Sequence, residues 1–371
     1  TKVVEKVITA VPAPTSAPTA TPAPARAKYV FVFIGDGMAA AQRNSAELYL
    51  AASKSATERP EKTKLVMNTF PAQGMNTTYD LTSVIPDSAS TATAISTGYK
   101  TKSGVIGMDG DGKVQYETIA EVAKKKGWKV GVLSSVSIDH ATPAAFYSHV
   151  ASRSNMYGIA QQLAKSNFDY FAGGGLLQPK GSKGDQPDVM DAIKTAGYKV
   201  VVGRSEFEKL APGAGKVMVM DERLDNDKAQ YYALDQSKTD LSLAELVKKG
   251  IDLLDNPTGF IMAVEGGKID WACHANDAAA SIHDTLALDA AVAEAVKFYE
   301  KHPKETLVIV TGDHETGGMT IGFAGTKYAA FFDKIKHQKM SYIEFGKKLD
   351  AYKKTRTAET AKFEEITPLI K

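Results

Sequence analysis

The chain has 371 residues, 43% hydrophobic and 24% charged, which is the balance of an ordinary globular protein. Its formal net charge of +2 argues against a polyanion partner, and no basic stripe with interleaved aromatic residues predicts nucleic-acid binding. No apolar run approaches the roughly 18 residues that a transmembrane segment needs, and the single cysteine, Cys273, excludes an internal disulfide.

The first 27 residues differ in composition from the rest of the chain. They contain the tract PAPTSAPTATPAPAR, which cannot bury apolar area, so we expect residues 1–27 to form a flexible tether. Such tethers commonly follow an export signal or a lipid anchor, although neither stands in this sequence. The tract therefore predicts a periplasmic or extracellular protein whose residues 28–371 form one domain.

Apolar runs of strand length recur along that domain. The first, at 29–34, stops at Gly35-Asp36-Gly37, and similar runs lie at 129–133, 259–264 and 306–310. Helical periodicity separates them at 116–126, 241–254 and 278–299. This alternation predicts an α/β fold: a doubly wound, mostly parallel central sheet with helices on both faces.

The region 155–236 is less regular. We expect strands near 168–172, 198–202 and 217–220, with a polar loop at 178–187. Gly173, Gly174 and Gly175 raise the alternative of a phosphate-binding loop, but no Lys-Ser/Thr pair follows them as a P-loop requires.

Residues 86–98 have small side chains and predict one short helix, closed by Gly98 in a left-handed cap. Ser88 lies at its N-terminal end, where free amides and the helix dipole favour an oxygen nucleophile or an anion. The alternative is that Ser88 and Asp87 are ordinary capping residues.

Carboxylates and histidines follow several predicted strands, where ligands of doubly wound sheets bind. Asp270 and His274 are four residues apart and share a face if their segment is helical, a spacing that suits two ligands of one metal. The alternative is a solvated pair on a surface helix. Asp36, Glu265 and Asp313-His314 come to the same rim, and their charges would repel one another without cations.

The types of these side chains indicate which cations fit. Carboxylate and imidazole ligands suit zinc, whereas an oxygen-only set that includes the Thr142 hydroxyl suits magnesium. Ser88 would then be a nucleophile activated by a bound metal rather than by a histidine. Arg153 could bind a tetrahedral dianion with its planar guanidinium, although its local sequence alone favours an ordinary surface arginine.

Six motifs occur in this order along the chain: Phe33-Ile34-Gly35-Asp36-Gly37-Met38, Asp87-Ser88-Ala89, Ala141-Thr142-Pro143, Val264-Glu265-Gly266, Ile269-Asp270 with His274, and Thr311-Gly312-Asp313-His314. Their order and spacing resemble those of the metal-dependent alkaline phosphatases from about residue 29 to residue 322. The resemblance implies an alkaline-phosphatase-like catalytic domain that hydrolyses small-molecule phosphate monoesters through a phosphoserine and releases inorganic phosphate. It also implies a possible homodimer.

The resemblance further implies two zinc ions and one magnesium ion, and a role for each matching residue. Ser88 would be the nucleophile and Arg153 the phosphate clamp. The protein ligands of the three metals would be Asp36, Ser88, Asp313 and His314 for the first zinc, Asp270 and His274 for the second, and Asp36, Thr142 and Glu265 for magnesium.

Three departures from the family pattern stand out. His140 and Trp271 occupy two positions that vary in the family and tune the magnesium site and phosphate release. A further histidine expected for the second zinc has no match, because only His337 follows His314 and its context differs. We therefore expect a chain that lacks part of the family's C-terminal segment and binds the second zinc weakly.

Two other function classes remain open. A related phosphodiesterase, sulfatase or mutase would share the fold and the metal rim, although Ser88-Ala89-Ser90 does not offer the sulfatase motif. A weakened or non-catalytic protein that binds metal and phosphate is the other alternative, suggested by the unmatched histidine.

Overall fold

The fold is built on one parallel sheet. The structure, a computed structural model, describes residues 26–55, 59–225 and 227–370, so nearly all of the predicted tether lies outside it. The strands are β1 (Tyr29–Gly35), β2 (Lys129–Ser134), β3 (Tyr170–Gly173), β4 (Tyr198–Val202), β5 (Lys216–Met220), β6 (Phe260–Gly266) and β7 (Thr306–Gly312). They form a seven-stranded, all-parallel sheet in the order β4-β5-β3-β2-β6-β1-β7, which confirms the predicted fold class.

Helices connect these strands and continue after the last one. They are α1 (Ala40–Lys54), α2 (Ser88–Thr97), α3 (Ile119–Lys125), α4 (Ala141–Ala144), α5 (Met156–Lys165), α6 (Val189–Thr195), α7 (Arg204–Glu208), α8 (Leu243–Leu254), α9 (Lys268–His274), α10 (Ala278–Lys301), α11 (Phe332–Ile335), α12 (Tyr342–Lys353) and α13 (Phe363–Ile370). None of these described helices is both long and apolar enough to traverse a lipid bilayer.

Side chains of β1 alternate between two apolar layers, as the pleat of a strand requires. Phe31 and Phe33 join the core that includes buried residues of α8 and α10. Val32 and Ile34 join the core that includes buried residues of α2 and α5. Because both faces of β1 are covered, its sequence is a continuous apolar run.

The register of the central strands determines where the polar residues meet. Ile34 of β1 lies opposite Glu265 of β6 and Thr311 of β7, and Gly35 lies opposite Gly266 and Gly312. The next residues along β1 and β7 are Asp36 and Asp313. The sheet therefore brings three carboxylates from distant parts of the chain to the carboxyl ends of neighbouring strands.

Helix α2 lies within the predicted segment 86–98 and ends at the predicted cap, Gly98. The Asp87 side chain accepts a hydrogen bond from the Ser90 amide at 3.0 Å, which satisfies a free donor at the N-terminus. Gly98 ends the helix with φ of 79°, a left-handed conformation that favours glycine.

Some local predictions need correction. Glu265 lies within β6 rather than after it, and Thr142 lies in the short helix α4. The amides of Gly174 and Gly175 donate to the carbonyls of Val136 and Lys228, so these glycines have no free amides for a phosphate.

Candidate active site

Ser88 is the first residue of α2 and lies at the centre of the candidate site. Its hydroxyl oxygen is 3.3 Å from Asp36 Oδ1 and 3.2 Å from His314 Nε2. Only 5% of the residue is exposed. The hydroxyl predicted to be a nucleophile therefore faces a carboxylate and an imidazole that come from the ends of β1 and β7.

Asp36, Asp313 and His314 form the densest group of possible metal ligands in the described part of the chain. One ligand atom from each lies within 4.8 Å of the other two. Asp313 is held in place by the Gly37 amide on Oδ1 and by the Thr91 hydroxyl on Oδ2, each at 3.0 Å. The three residues thus converge as predicted for a first zinc site.

The hydrogen bonds of His314 indicate which ring nitrogen carries the proton. Nδ1 lies 3.2 Å from the Glu315 carbonyl oxygen, which can only accept, and 3.1 Å from the Thr316 hydroxyl. Nδ1 is therefore placed to donate, so in the neutral tautomer with the proton on Nδ1 the lone pair of Nε2 faces the ligand cluster. Nε2 lies 3.3 Å from Asp36 Oδ1 and 3.5 Å from Asp313 Oδ2.

Glu265 and Thr142 extend the cluster on the other side of Asp36. The Thr142 hydroxyl donates to Asp36 Oδ2 at 3.3 Å, and the Ser134 hydroxyl donates to Glu265 Oε2. The remaining oxygen of Glu265, Oε1, is buried and has no hydrogen-bond partner in the described protein. A hard cation could bind this unsatisfied carboxylate oxygen together with the neighbouring oxygens of Asp36 and Thr142.

Asp270 and His274 share one face of α9, as their spacing predicts. His274 Nε2 is 3.5 Å from Asp270 Oδ2, and the imidazole is 72% exposed whereas the carboxylate is 8% exposed. The other carboxylate oxygen, Asp270 Oδ1, accepts a hydrogen bond from the Thr316 hydroxyl at 2.6 Å. Thr316 therefore contacts residues of both predicted zinc sites, because it also contacts His314.

Arg153 lies in the loop between α4 and α5. Its Nη1 donates to Asp87 Oδ2 at 2.9 Å, and Asp87 is the residue immediately before Ser88. The Gly104 amide donates to the same carboxylate oxygen at 2.9 Å. Asp87 thus ties the guanidinium to the start of α2, which supports the phosphate-clamp interpretation over that of an ordinary surface arginine.

His140 and Trp271 pack against each other beside these residues. Their ring centroids are 5.7 Å apart in an edge-to-face arrangement. Burial lowers the pKa of His140 to about 3, so the ring is neutral at ordinary pH. Its Nδ1 is buried and has no partner among the described residues.

Burial and mutual repulsion shift the acidic groups of the site. Burial, followed by the charges of Asp313, Asp270 and Glu265, raises the pKa of Asp36 well above its ordinary value. Burial also raises the pKa of Glu265 to about 7 and raises the pKa of Asp313. The protein alone therefore does not stabilise these carboxylates in their charged form.

This donor set fits bound cations. Two carboxylate oxygens face His314 Nε2, and a third carboxylate, Glu265, keeps a buried oxygen without a partner among the described residues. Acceptors that face one another in a buried space need a proton or a metal ion between them. Imidazole with carboxylates suits zinc, and the oxygens of Asp36, Thr142 and Glu265 suit magnesium.

The sequence did not single out three hydroxyls that hold these ligands. Thr91 contacts Asp313, Ser134 contacts Glu265, and Thr316 contacts Asp270 and His314. Thr316 follows His314 by two residues, which was the one available signal. The other two lie far from their partners in sequence.

Helices around a parallel sheet, with a buried rim of carboxylates, imidazole and a helix-terminal serine, are features typical of metal-dependent α/β hydrolases. The family described as alkaline phosphatase matches residues 27–367. The chain therefore belongs to the alkaline phosphatase family.

Individual relatives agree with this assignment. Alkaline phosphatase 3 of Bacillus subtilis is 36% identical over 326 residues, which cover 84% of this chain and 66% of that protein. The human tissue-nonspecific isozyme is 29% identical and covers 78% of this chain and 63% of its own length. The chain thus spans about two thirds or less of the length of these relatives.

Solved structures show the same fold. A cold-active alkaline phosphatase from a psychrophilic Shewanella has a TM-score of 0.76 at 29% identity, covering 87% of this chain and 77% of its own. The enzyme from the Antarctic bacterium TAB5 has a TM-score of 0.70 at 31% identity, with 80% and 82% covered. A histidine-to-glutamate mutant of the TAB5 enzyme is described with Mg bound in its M3 site.

Proposed function

We propose that this protein hydrolyses phosphate monoesters, with Ser88 as the nucleophile. The observation that carries the proposal is the position of the Ser88 hydroxyl, 3.3 Å from Asp36 and 3.2 Å from His314 at the N-terminus of α2. Family membership supports the same activity. Residues 28–371 would form the catalytic domain.

Two zinc ions and one magnesium ion would complete the site. Asp36, Asp313 and His314, together with Ser88, would hold the first zinc, and Asp270 with His274 the second. Asp36, Thr142 and Glu265 would hold magnesium. When bound, such ions stabilise charge on the oxygens that attack and leave phosphorus and lower the pKa of water.

The reaction would proceed in two displacements. Ser88 Oγ attacks phosphorus, the alcohol oxygen of the substrate leaves, and a phosphoserine forms at the start of α2. Water then attacks phosphorus, the bond between phosphorus and Ser88 Oγ breaks, and one proton of the water restores the Ser88 hydroxyl as inorganic phosphate is released. The helix dipole favours the negative phosphoryl group in both steps.

Arg153 would bind the oxygens of the phosphoryl group. Asp87 holds Nη1, so the guanidinium plane is oriented and its other N–H donors are available for oxygen acceptors. His140 and Trp271 would tune phosphate binding and the magnesium site from the rim. The Pro/Ala/Thr-rich N-terminal tract supports a periplasmic or extracellular location, and a homodimer is the proposed assembly.

A comparison of substrates tests this function. The protein, supplied with zinc and magnesium, should hydrolyse a simple aryl phosphate much faster than the matching aryl phosphodiester or aryl sulfate. Ser88→Ala should reduce monoester turnover by about 1000-fold or more while the fold is retained. A preference for the diester or sulfate, or undiminished turnover by Ser88→Ala, would contradict the proposal.

A further inference from the structure

Lys268 is a buried cation that the reaction above does not use. It is the first residue of α9, the helix that carries Asp270 and His274, and it is 1% exposed. Its backbone amide donates to Ser135 Oγ at 3.2 Å, which fixes the start of the helix. Lysine is almost never fully buried unless it is paired, so this position needs an explanation.

The Lys268 ammonium lies between one carboxylate and two aromatic rings. Nζ is 2.6 Å from Asp225 Oδ2, 4.0 Å from the centroid of Tyr232 and 4.7 Å from that of Trp271. The other carboxylate oxygen, Asp225 Oδ1, accepts the amides of Asp227 and Ala229 at 3.0 Å and 2.9 Å. The carboxylate is therefore fixed by its own loop, and it fixes the ammonium.

Stability alone is a poor explanation for this ion pair. Removing two charges from water is costly, and replacing a buried pair by apolar side chains often leaves stability unchanged or improves it. The pair instead restrains the orientation of the rings, because a cation that lies over a ring face attracts it. Of the two rings that it contacts, Trp271 is also a residue of the candidate site.

Trp271 is restrained from two sides. The Lys268 ammonium lies over the indole, and the buried His140 ring meets it edge to face. Trp271 directly follows Asp270, and His140 is two residues before Thr142. The indole thus contacts His140 of the α4 N-terminus from a helix that carries two predicted zinc ligands.

We propose that the Lys268–Asp225 pair positions the Trp271 indole at the rim of the site, so that oxyanion binding depends on a lysine that never touches the substrate. An indole held against His140 keeps water out of this rim, and water would compete with the oxyanion for donors. The dependence of binding on Lys268 rests on the proposed phosphatase function. The restraint of the indole does not.

Fluorescence isolates the restraint. The chain has two tryptophans, so Trp128→Phe leaves Trp271 as the only indole in the full-length protein. In that background, Lys268→Met combined with Asp225→Asn removes both charges but keeps an oxygen for the amides of Asp227 and Ala229. Lys268→Arg keeps the cation and serves as the matched control.

The double variant should fold, and its Trp271 emission should shift to longer wavelength with stronger acrylamide quenching. With metals supplied, its KM for an aryl phosphate and its inhibition constant for inorganic phosphate should rise by about threefold or more, while kcat changes by less than about twofold. Lys268→Arg should retain the emission and both constants of the Trp128→Phe protein.

Other results would overturn the proposal. Unchanged emission and quenching in a folded double variant would show that the pair does not restrain the indole. A shifted emission with unchanged KM and phosphate inhibition would show that the restraint does not reach the site. Absence of phosphomonoesterase activity in the parent protein contradicts the proposed function instead, and the fluorescence comparison still decides whether the indole is restrained.

Discussion

At the scale of single residues, the site depends on hydroxyl groups that hold the metal-binding side chains. Thr316 donates to Asp270 Oδ1 at 2.6 Å and lies 3.1 Å from His314 Nδ1. A single hydroxyl thus contacts one predicted ligand of each zinc site. Groups of this kind fix the orientation and the tautomer of the ligands they contact.

Replacing Thr316 with valine removes that hydroxyl and keeps a similar shape. Asp270 Oδ1 then loses its donor, so we expect zinc affinity to fall by about 10-fold or more. Titration of the metal-free protein with zinc, in competition with a chromophoric chelator, measures the change without an activity assay. Thr316→Ser retains the hydroxyl and should bind nearly as the parent does. Equal zinc affinity in all three proteins would show that Thr316 does not support the ligands.

At the scale of elements, α2 presents the nucleophile and depends on its two caps. Asp87 caps the N-terminus and also holds Arg153, so one carboxylate connects the helix, Ser88 and the phosphate clamp. Burial opposes the charge of Asp87, but hydrogen bonds from the Ser90 amide and Arg153 outweigh it and lower its pKa. Asp87 is therefore ionised at neutral pH, as both partners require.

The glycine at the other end of α2 permits a direct test of the cap. Gly98 has φ of 79°, so Gly98→Ala should lower the free energy of unfolding by about 1 kcal/mol. The same substitution at Gly346, inside α12 with open space around the added methyl, should raise it by up to about 1 kcal/mol. Urea denaturation measures both. Equal effects of the two substitutions would contradict the role of the cap.

The amino-acid pattern predicted this element, and much of the site, for physical reasons. The continuous apolar run of β1 and the glycine after α2 are local signals, so the strand and the end of the helix could be predicted from the sequence. Thr91 and Asp313, by contrast, are 222 residues apart, and only the folded position of α2 beside the end of β7 brings them together. Lys268 was missed because lysine normally lies at the surface, and its burial depends on Asp225, Tyr232 and Trp271.

At the scale of the whole molecule, buried acidic residues outside the candidate site also make the stability of the protein depend on pH. Asp284 of α10 is 6% exposed and accepts the Ala233 amide at 3.2 Å. Burial raises its pKa to about 7, although the charge of Lys268 opposes the shift. The folded state therefore holds a proton that the unfolded chain releases near pH 4.

The sign of the resulting pH effect follows from proton binding. Between about pH 4 and pH 7 the folded state binds more protons at Asp284 than the unfolded state, so this group's contribution to stability falls as pH rises. Asp284→Asn removes that loss. The free energy of unfolding of the variant minus that of the parent should therefore be roughly 1 to 4 kcal/mol larger at pH 8 than at pH 5.

Urea denaturation at both pH values, with the same metal content, gives that difference directly. Asp109→Asn is a matched control, because the amides of Val114 and Lys113 lower the pKa of this exposed carboxyl. For Asp109→Asn, the free energy of unfolding of the variant minus that of the parent should not grow from pH 5 to pH 8. A difference for Asp284→Asn that is constant with pH would show that this carboxyl is charged in the folded protein.

The most direct measurement concerns Ser88 itself. The protein with zinc and magnesium is mixed with an aryl phosphate, stopped in acid and digested, and the peptides are analysed by mass spectrometry. The peptide that contains Ser88 should carry one phosphoryl group, and Ser88→Ala should show neither this modification nor monoester turnover. A phosphoryl group on another residue, or turnover by Ser88→Ala at the parent rate, would contradict a phosphoserine mechanism at α2.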